Sequence, residues 1–326
     1  MKHRKFVVVS SSLLVFLAAA VGGLALYSTY VVRAAMPGLP EALNYLPATS
    51  HAVFGMNVKK FVASPVYAKL EETHGTTIAN DLADFIAQTG VDPRRDLHYL
   101  IAAGSADSDR GGRGAAIAVG QFNTAGITNY IYARKTPIKV EYRGATVLLI
   151  EEGSRLEKGV VFMKEGEIAF GDLDSLKAIL DVRDQAAPDI MTNPTLAPLI
   201  QQLNPDEMFW FAGDASSIAS KVPRGERFGD TVASIQDLAG TLNLDEAVTG
   251  KITATAKDEE SARKLADVAR GLVALGQLAG DQEPTIADLM KGVSVTRDKN
   301  RIVLKINFDF SLLDQLERPR AARKVA

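Results

Sequence analysis

The histidines of the chain, His3, His51, His74 and His98, are the groups best suited to ligate a metal or to carry a proton near neutral pH. No two of them sit at the short spacing that puts two ligands on one helix face, and structural zinc sites ordinarily show paired ligands in the sequence. There is no cysteine, which excludes disulfides, thiolate metal ligation, a cysteine nucleophile and a lipidated cysteine. No metal and no cofactor is expected. For nucleophilic catalysis, Ser217 and Lys221 lie four apart and would share a helix face, but a serine nucleophile needs a base and oxyanion donors, and no Gly-x-Ser-x-Gly elbow occurs. Ser261 and Lys264 form a Ser-x-x-Lys match, yet it opens a long helix and lacks the Ser-Asp-Asn and Lys-Thr-Gly partners of the penicillin-binding class. Ser216, Ser217 and Ser220 after Asp214 read instead as a capped amphipathic turn.

Two loops invite ligand readings and fail them. Asp107, Asp109, Gly111, Gly112 and Gly114 suggest a calcium or phosphate loop, but Ala118 stands where the twelfth-position acid belongs and no lysine follows the glycines. A polar hairpin loop explains them. Leu46, Pro47, Ala48, Thr49 and Ser50 suggest a sortase signal, which needs glycine where Ser50 stands and a hydrophobic tail after it; a proline turn into a strand fits better. Paired acids (Glu151 with Glu152, Asp172 with Asp174, Glu259 with Glu260) fall at strand ends and helix starts, where carboxylates satisfy free backbone N–H groups. No catalytic residue is assigned on these grounds.

The elements that must carry such residues begin with a membrane anchor. Phe6 to Val32 are 27 residues without a charge, preceded by Lys2, Arg4 and Lys5 and followed by Arg33. As a helix the run reaches roughly 40 Å at about 1.5 Å per residue, enough to cross a hydrocarbon core of about 30 Å. The basic flank keeps the N-terminus cytoplasmic and sends the rest outside, with Tyr27 and Tyr30 at the exit interface. Ala18 with Gly22 and Ala19 with Gly23 give small-xxx-small spacing. Ala34 and Ala35, beyond Arg33, leave signal-peptide cleavage as the alternative. Removing the four basic residues of this segment leaves 33 basic against 39 acidic residues, a body of −6 with no electrostatic footprint for nucleic acid.

After a Pro- and Gly-containing stem, the body reads as α+β. Expected strands run from Ala52 to Val58, His98 to Ser105, Gly114 to Phe122, Lys139 to Glu151 with a turn at Arg143 and Gly144, and Val160 to Gly171 with a turn at Glu165 and Gly166. Helices are expected from Ser64 to Glu72, Ile78 to Gln88, Thr124 to Arg134 and Leu173 to Val182. In the second part, strands are expected from Glu207 to Gly213 and Glu246 to Lys257, and a hairpin from Gly292 to Phe310 around Asp298, Lys299 and Asn300. Helices are expected from Ala215 to Ser220, from Phe228 to Gly240, and after Asp258 as N-cap. The order of elements suggests a degenerate duplication of two mainly antiparallel sheet-plus-helix halves, each opening on a Leu-Pro or Leu-Asn-Pro turn and each carrying an acidic turn (Gly90 to Asp92; Asn243 to Asp245) before a strand. The organisation expected is 1–5 n-region, 6–32 anchor, 33–46 stem, 47–185 first half, 186–317 second half and 318–326 a basic, solvated tail with Arg318, Arg320, Arg323 and Lys324.

Leu46, Pro47 and Ala48 before a Val-rich strand, then Ser64, Pro65 and Tyr67 opening a helix, then Thr89, Gly90, Val91, Asp92, Pro93, Asp96 and Leu97, resemble uncharacterised bacterial envelope proteins with an N-terminal anchor and an exported domain of unknown function. The resemblance implies an envelope location, periplasmic in a Gram-negative cell, and carries no reaction. The function expected is a membrane-tethered binding or scaffolding protein with an envelope protein partner. The rivals are an envelope hydrolase with a site assembled from distant residues, which predicts a deep cleft, and a lipid or small-molecule carrier, which predicts a large apolar groove.

Overall fold

The chain's computed structural model describes residues 41–105, 112–151, 157–204, 206–215, 233–281, 284–312 and 315. The expected n-region and anchor, His3, the loop of Asp107 and Asp109, Ser217, Lys221 and the basic tail lie outside these residues. Among the described residues no helix is long and apolar enough to cross a membrane.

A 3-10 turn at Glu41–Tyr45 leads into β1 (Ala52–Met56). Asn57 ends the strand and accepts a hydrogen bond from Lys60 N, starting α1 (Val58–Val62). Ser64 then caps α2 (Pro65–Thr89), with Pro65 in the first turn where a missing N–H costs nothing. Two helices were expected here; a single one runs through Gly75 and stops only at Gly90, whose φ of 72° is the left-handed C-cap. Asp92 caps α3 (Pro93–Asp96), after which come β2 (Leu97–Ser105), β3 (Arg113–Gly120) and α4 (Thr124–Arg134). Two hairpins follow, β4 (Ile138–Tyr142) with β5 (Ala145–Glu151) and β6 (Lys158–Lys164) with β7 (Glu167–Asp172), and then α5 (Leu173–Arg183).

The second half begins with a 3-10 turn at Ile190–Thr192 and α6 (Leu196–Ile200), followed by β8 (Phe209–Asp214), β9 (Ile235–Leu244) and β10 (Ala247–Ala256). The helix α7 (Glu259–Gln277), a 3-10 turn at Leu278–Asp281, α8 (Pro284–Lys291) and the hairpin β11 (Val293–Asp298) to β12 (Arg301–Asp309) complete it. The helix expected from Phe228 to Gly240 is corrected: where described, this stretch is β9, because it fills the gap between β8 and β10 and pairs with both.

The twelve strands form one antiparallel sheet in the order β11-β12-β10-β9-β8-β1-β2-β3-β7-β6-β5-β4. The fold is thus α+β with a large antiparallel sheet. In the first part β1, β2 and β3 are neighbours and the two hairpins after α4 return β7 to β3; in the second β8, β9 and β10 are neighbours and one hairpin after α7 and α8 returns β12 to β10. The two acidic turns are not equivalent, as was expected of them: Asp92 precedes a second strand, whereas Asp245 lies between the second and third.

Register aligns a row of residues across the sheet, Trp210, Gly55, Ile101, Ile117, Ala169, Val161 and Val147. Leu176, Ile179 and Leu180 of α5 join this row in the main core, together with Leu43, Leu46, Ile190 and Ile200 from the short elements, all nearly inaccessible. Side chains of this size contribute about 2 kcal/mol each when buried. On the opposite face Phe54 and Phe209 stack at 6.2 Å with Phe61 of α1 edge-on to Phe209 at 5.8 Å, while Ala262 and Ala266 of α7 pack with Ile302.

Candidate functional site

Where β1 starts, β2 ends and α5 begins, the sheet leaves a cleft of about 180 Å³. Thr49, Ser50, Ser105, Arg113, Asp174 and Ser175 supply its polar side chains. The glycines and alanines of β2 and β3 (Ala103, Gly104, Ala115) keep its floor low. At its back stands Asp172, 6% exposed, which caps α5. Its Oδ1 accepts from Ser175 N at 2.9 Å, and its Oδ2 accepts from Ser175 Oγ at 2.8 Å and from Gly114 N at 2.7 Å. Arg113 Nη1 donates to Asp174 Oδ2 at 2.8 Å across the mouth. These carboxylates therefore join α5 to β3, and the Ser175 hydroxyl is tied to the same cap.

Asp172→Ala is expected to lower the unfolding free energy by about 2 kcal/mol, through a lost cap and a half-buried Gly114 N–H deprived of its acceptor. The urea midpoint of Trp210 emission measures it, Trp210 being the single tryptophan. A midpoint unchanged by Asp172→Ala would contradict the joint.

His51 lies beside the cleft, held by its backbone: His51 N donates to Gly104 O at 2.9 Å and Asp214 N donates to His51 O at 2.7 Å. Among the described residues no partner reaches its buried Nδ1. His98 lies on β2, half-buried, with burial as the main influence lowering its basicity and Lys59 adding to it. No group of three or more His, Asp or Glu able to hold a metal occurs among the described residues. A second recess of about 530 Å³ is lined by Asn44, Tyr45, Arg183, Gln185, Asp189 and Thr192, with Val182, Ala186, Ala187 and Pro188 between them. Neither recess has the continuous apolar lining that a carrier requires.

The residues that carry the envelope-protein resemblance have local structural tasks. Leu46 is 1% exposed, Ala48 N donates to Pro188 O at 3.0 Å and Ala48 O accepts from Asn193 Nδ2 at 2.7 Å. Ser64 Oγ accepts from Tyr67 N at 3.3 Å, and Tyr67 meets Phe61 edge-on at 5.6 Å. Burial, then Glu71, raise the Tyr67 pKa. Val91 N donates to Thr89 Oγ1 at 3.1 Å, Asp92 N donates to Asp96 Oδ2 at 2.8 Å, and Arg95 is the first of the groups that hold the Asp96 carboxyl below its usual range. These motifs are caps and joints. Ser261 and Lys264 likewise belong to the start of α7: Ser261 N donates to Asp258 Oδ1 at 2.7 Å, and Lys264 pairs with Glu260 at 2.7 Å.

Composition did not point to a third polar cluster. Lys164 Nζ donates to Glu41 Oε2 at 2.7 Å and Tyr45 Oη at 3.1 Å, and lies 3.5 Å from Glu167 Oε1. Glu167 is 5% exposed, and among the described residues its Oε2 has no hydrogen-bond partner. Burial raises its pKa, with Lys164 opposing. Lys164 holds the exposed Glu41 in the opposite direction, low.

An antiparallel sheet with helices on both faces is the class this geometry defines. No known family model matches the chain, and no curated protein does. Among solved structures it is similar in fold to crystal form III of TP0453, at 9% identity and a TM-score of 0.51, covering 84% of this chain and 96% of that one. Crystal form I of TP0453 aligns over 85% and 96% at 9% identity, with a TM-score of 0.48.

Proposed function

We propose that the chain is a single-pass, membrane-tethered extracytoplasmic protein of the bacterial envelope, whose body is a non-enzymatic binding or scaffolding module. The observation that carries this is the uncharged run from Phe6 to Val32 with its basic N-terminal flank, which leads within a short stem to the 3-10 turn Glu41–Tyr45. The cleft supports the non-enzymatic part, since Ser175 and the carboxylates of Asp172 and Asp174 are engaged in capping and ion pairing, with Ser175 facing an acceptor already held by two backbone N–H groups. The strand order supports a duplicated body: placing Leu46 on Leu203 puts Val53 on Trp210 and Asn57 on Asp214, and makes β1 and β8 the paired first strands of two related units.

Proximity labelling from the exported body, carried out on the full chain in cells, is expected to recover the same envelope protein in independent repeats. Recovery of no reproducible partner would count against a scaffold.

A further inference from the structure

We propose that the outer strand β4 is an interaction surface for a second copy of this chain, which adds to it antiparallel with Val140 on the two-fold axis. Among the described residues β4 pairs with β5 alone and forms one edge of the sheet. The hairpin closes Tyr142 against Ala145 with Arg143 at φ 47° and Gly144 at φ 65°, a two-residue turn whose closing pair exchanges hydrogen bonds. Tyr142, Val140 and Ile138 therefore turn their N–H and C=O groups toward β5, and Lys139 and Glu141 turn theirs outward. The other edge of the sheet is treated differently. On β11 the same parity turns Val295 outward, and there Arg270 Nε of α7 donates to Val295 O at 3.4 Å.

The charge pattern selects both the occupant and its register. Three antiparallel registers bring outward residues of two β4 strands opposite each other. One sets Lys139 against Lys139 and one sets Glu141 against Glu141, and like charges directly opposite repel. The third sets Lys139 against Glu141 of the second copy, twice, with four backbone hydrogen bonds. It also places Ile138, 41% exposed, beside Tyr142 of the second copy on the other face, and Val140 beside Val140. Both charged side chains are exposed and on one face, where Glu141 Oε1 already accepts from Thr146 Oγ1 at 2.7 Å and Lys139 lies 6.0 Å from the Tyr132 ring. Pro137, which has no N–H, stops the pairing at this length.

The two-fold axis of such a pair is normal to the sheet, so both copies keep their Glu41–Tyr45 turns on the same side and both anchors can enter one bilayer. A five-residue contact falls well short of the roughly 1,200 Å² of a stable interface, so the pair forms at the local concentration a membrane provides. For that concentration only, the proposal rests on the tethered reading.

The full chain in liposomes provides the test, because it has no native cysteine. Val140 pairs with Val140 at a non-hydrogen-bonded position with Cα atoms about 4.5 Å apart, within disulfide range. Val140→Cys under mild oxidation is expected to give a linked dimer of twice 35.0 kDa. Adding Lys139→Glu or Glu141→Lys should each cut the linked fraction about tenfold, and Lys139→Glu with Glu141→Lys together should restore it. Trp210 emission reports that each variant is folded. No linked dimer, or a dimer indifferent to these charges, overturns the proposal. Liposome flotation reports the tether separately, and if the chain does not float the same charge series is read on concentrated protein in solution.

Discussion

Gly55→Ala is expected to lower the unfolding free energy by about 4 kcal/mol, although exchanging glycine for alanine inside a strand ordinarily gains about 0.5–1 kcal/mol. The sign reverses because the Trp210 ring lies over Gly55: a Cβ built there falls 2.1 Å from Cε2 and 2.3 Å from Cζ2. The ring cannot step aside cheaply. Trp210 is fully buried in the main core, and its indole N–H donates to the hydroxyl of Tyr99, which is also fully buried. Overpacking costs about 1–3 kcal/mol and sometimes more, and a broken buried hydrogen bond adds about 1–3. Trp210→Phe should itself be destabilising yet recover part of the Gly55→Ala loss, with a coupling above about 1 kcal/mol. Guanidinium unfolding followed by circular dichroism measures all three variants; additive losses would mean that the two sites do not touch.

Lys164→Met is expected to cost about 2–3 kcal/mol at neutral pH and much less in mild acid. Breaking a fully buried ion pair costs about 3–5 kcal/mol; Lys164 is 45% exposed, so part of its attraction is already screened by water. What remains is the Glu167 carboxylate, buried without its cation. Burial raises the Glu167 pKa in the folded chain, so the folded state holds this proton to higher pH than the unfolded state does. Stability from this group is therefore present below the unfolded carboxylate pKa of about 4.3 and is lost as pH rises through the folded value. Removing Lys164 deepens that loss, because nothing then opposes burial. Glu167→Gln should flatten the pH dependence in this window, and Lys164→Met with Glu167→Gln should be nearly as stable at pH 7 as at pH 5. Thermal melts across that range decide it, and a Lys164→Met loss that does not change with pH would rule out the buried carboxylate as its cause.

Hairpins were the most legible part of the fold. Arg143 with Gly144, Gly166, and Lys299 all have positive φ, and each marks a turn that residue types had announced. Caps were legible for the same local reason: Asp258 accepts from Ser261 N as expected. Longer-range pairing was not. Ile235, Leu238, Ala239 and Leu242 have helical spacing, but strand pairing on both sides of β9 decides their conformation, and Gly240 matches the Phe211 ring above it, where a Cβ would come within 2.9 Å. Two helices were expected between Ser64 and Gln88, but α2 runs without interruption across the gap between them. In the cleft, Asp172 and Asp174 were read as helix-start acids, but the contact of Arg113 with Asp174 spans 61 residues of sequence. The Lys164–Glu41 contact spans 123, and no spacing rule reaches that far.

The absence of native cysteine makes the proposed tether directly testable, since one introduced thiol labels one place. Lys2→Cys and Leu278→Cys, the latter at a position 80% exposed on the body, are compared in intact bacteria whose outer barrier has been opened, using a membrane-impermeant maleimide. Leu278→Cys is expected to react in intact cells and Lys2→Cys only after lysis, with both variants staying with the membrane at alkaline pH. Labelling of Lys2→Cys with protection of Leu278→Cys would contradict the proposed tether, as would a mature chain that begins near Met36 and leaves the membrane.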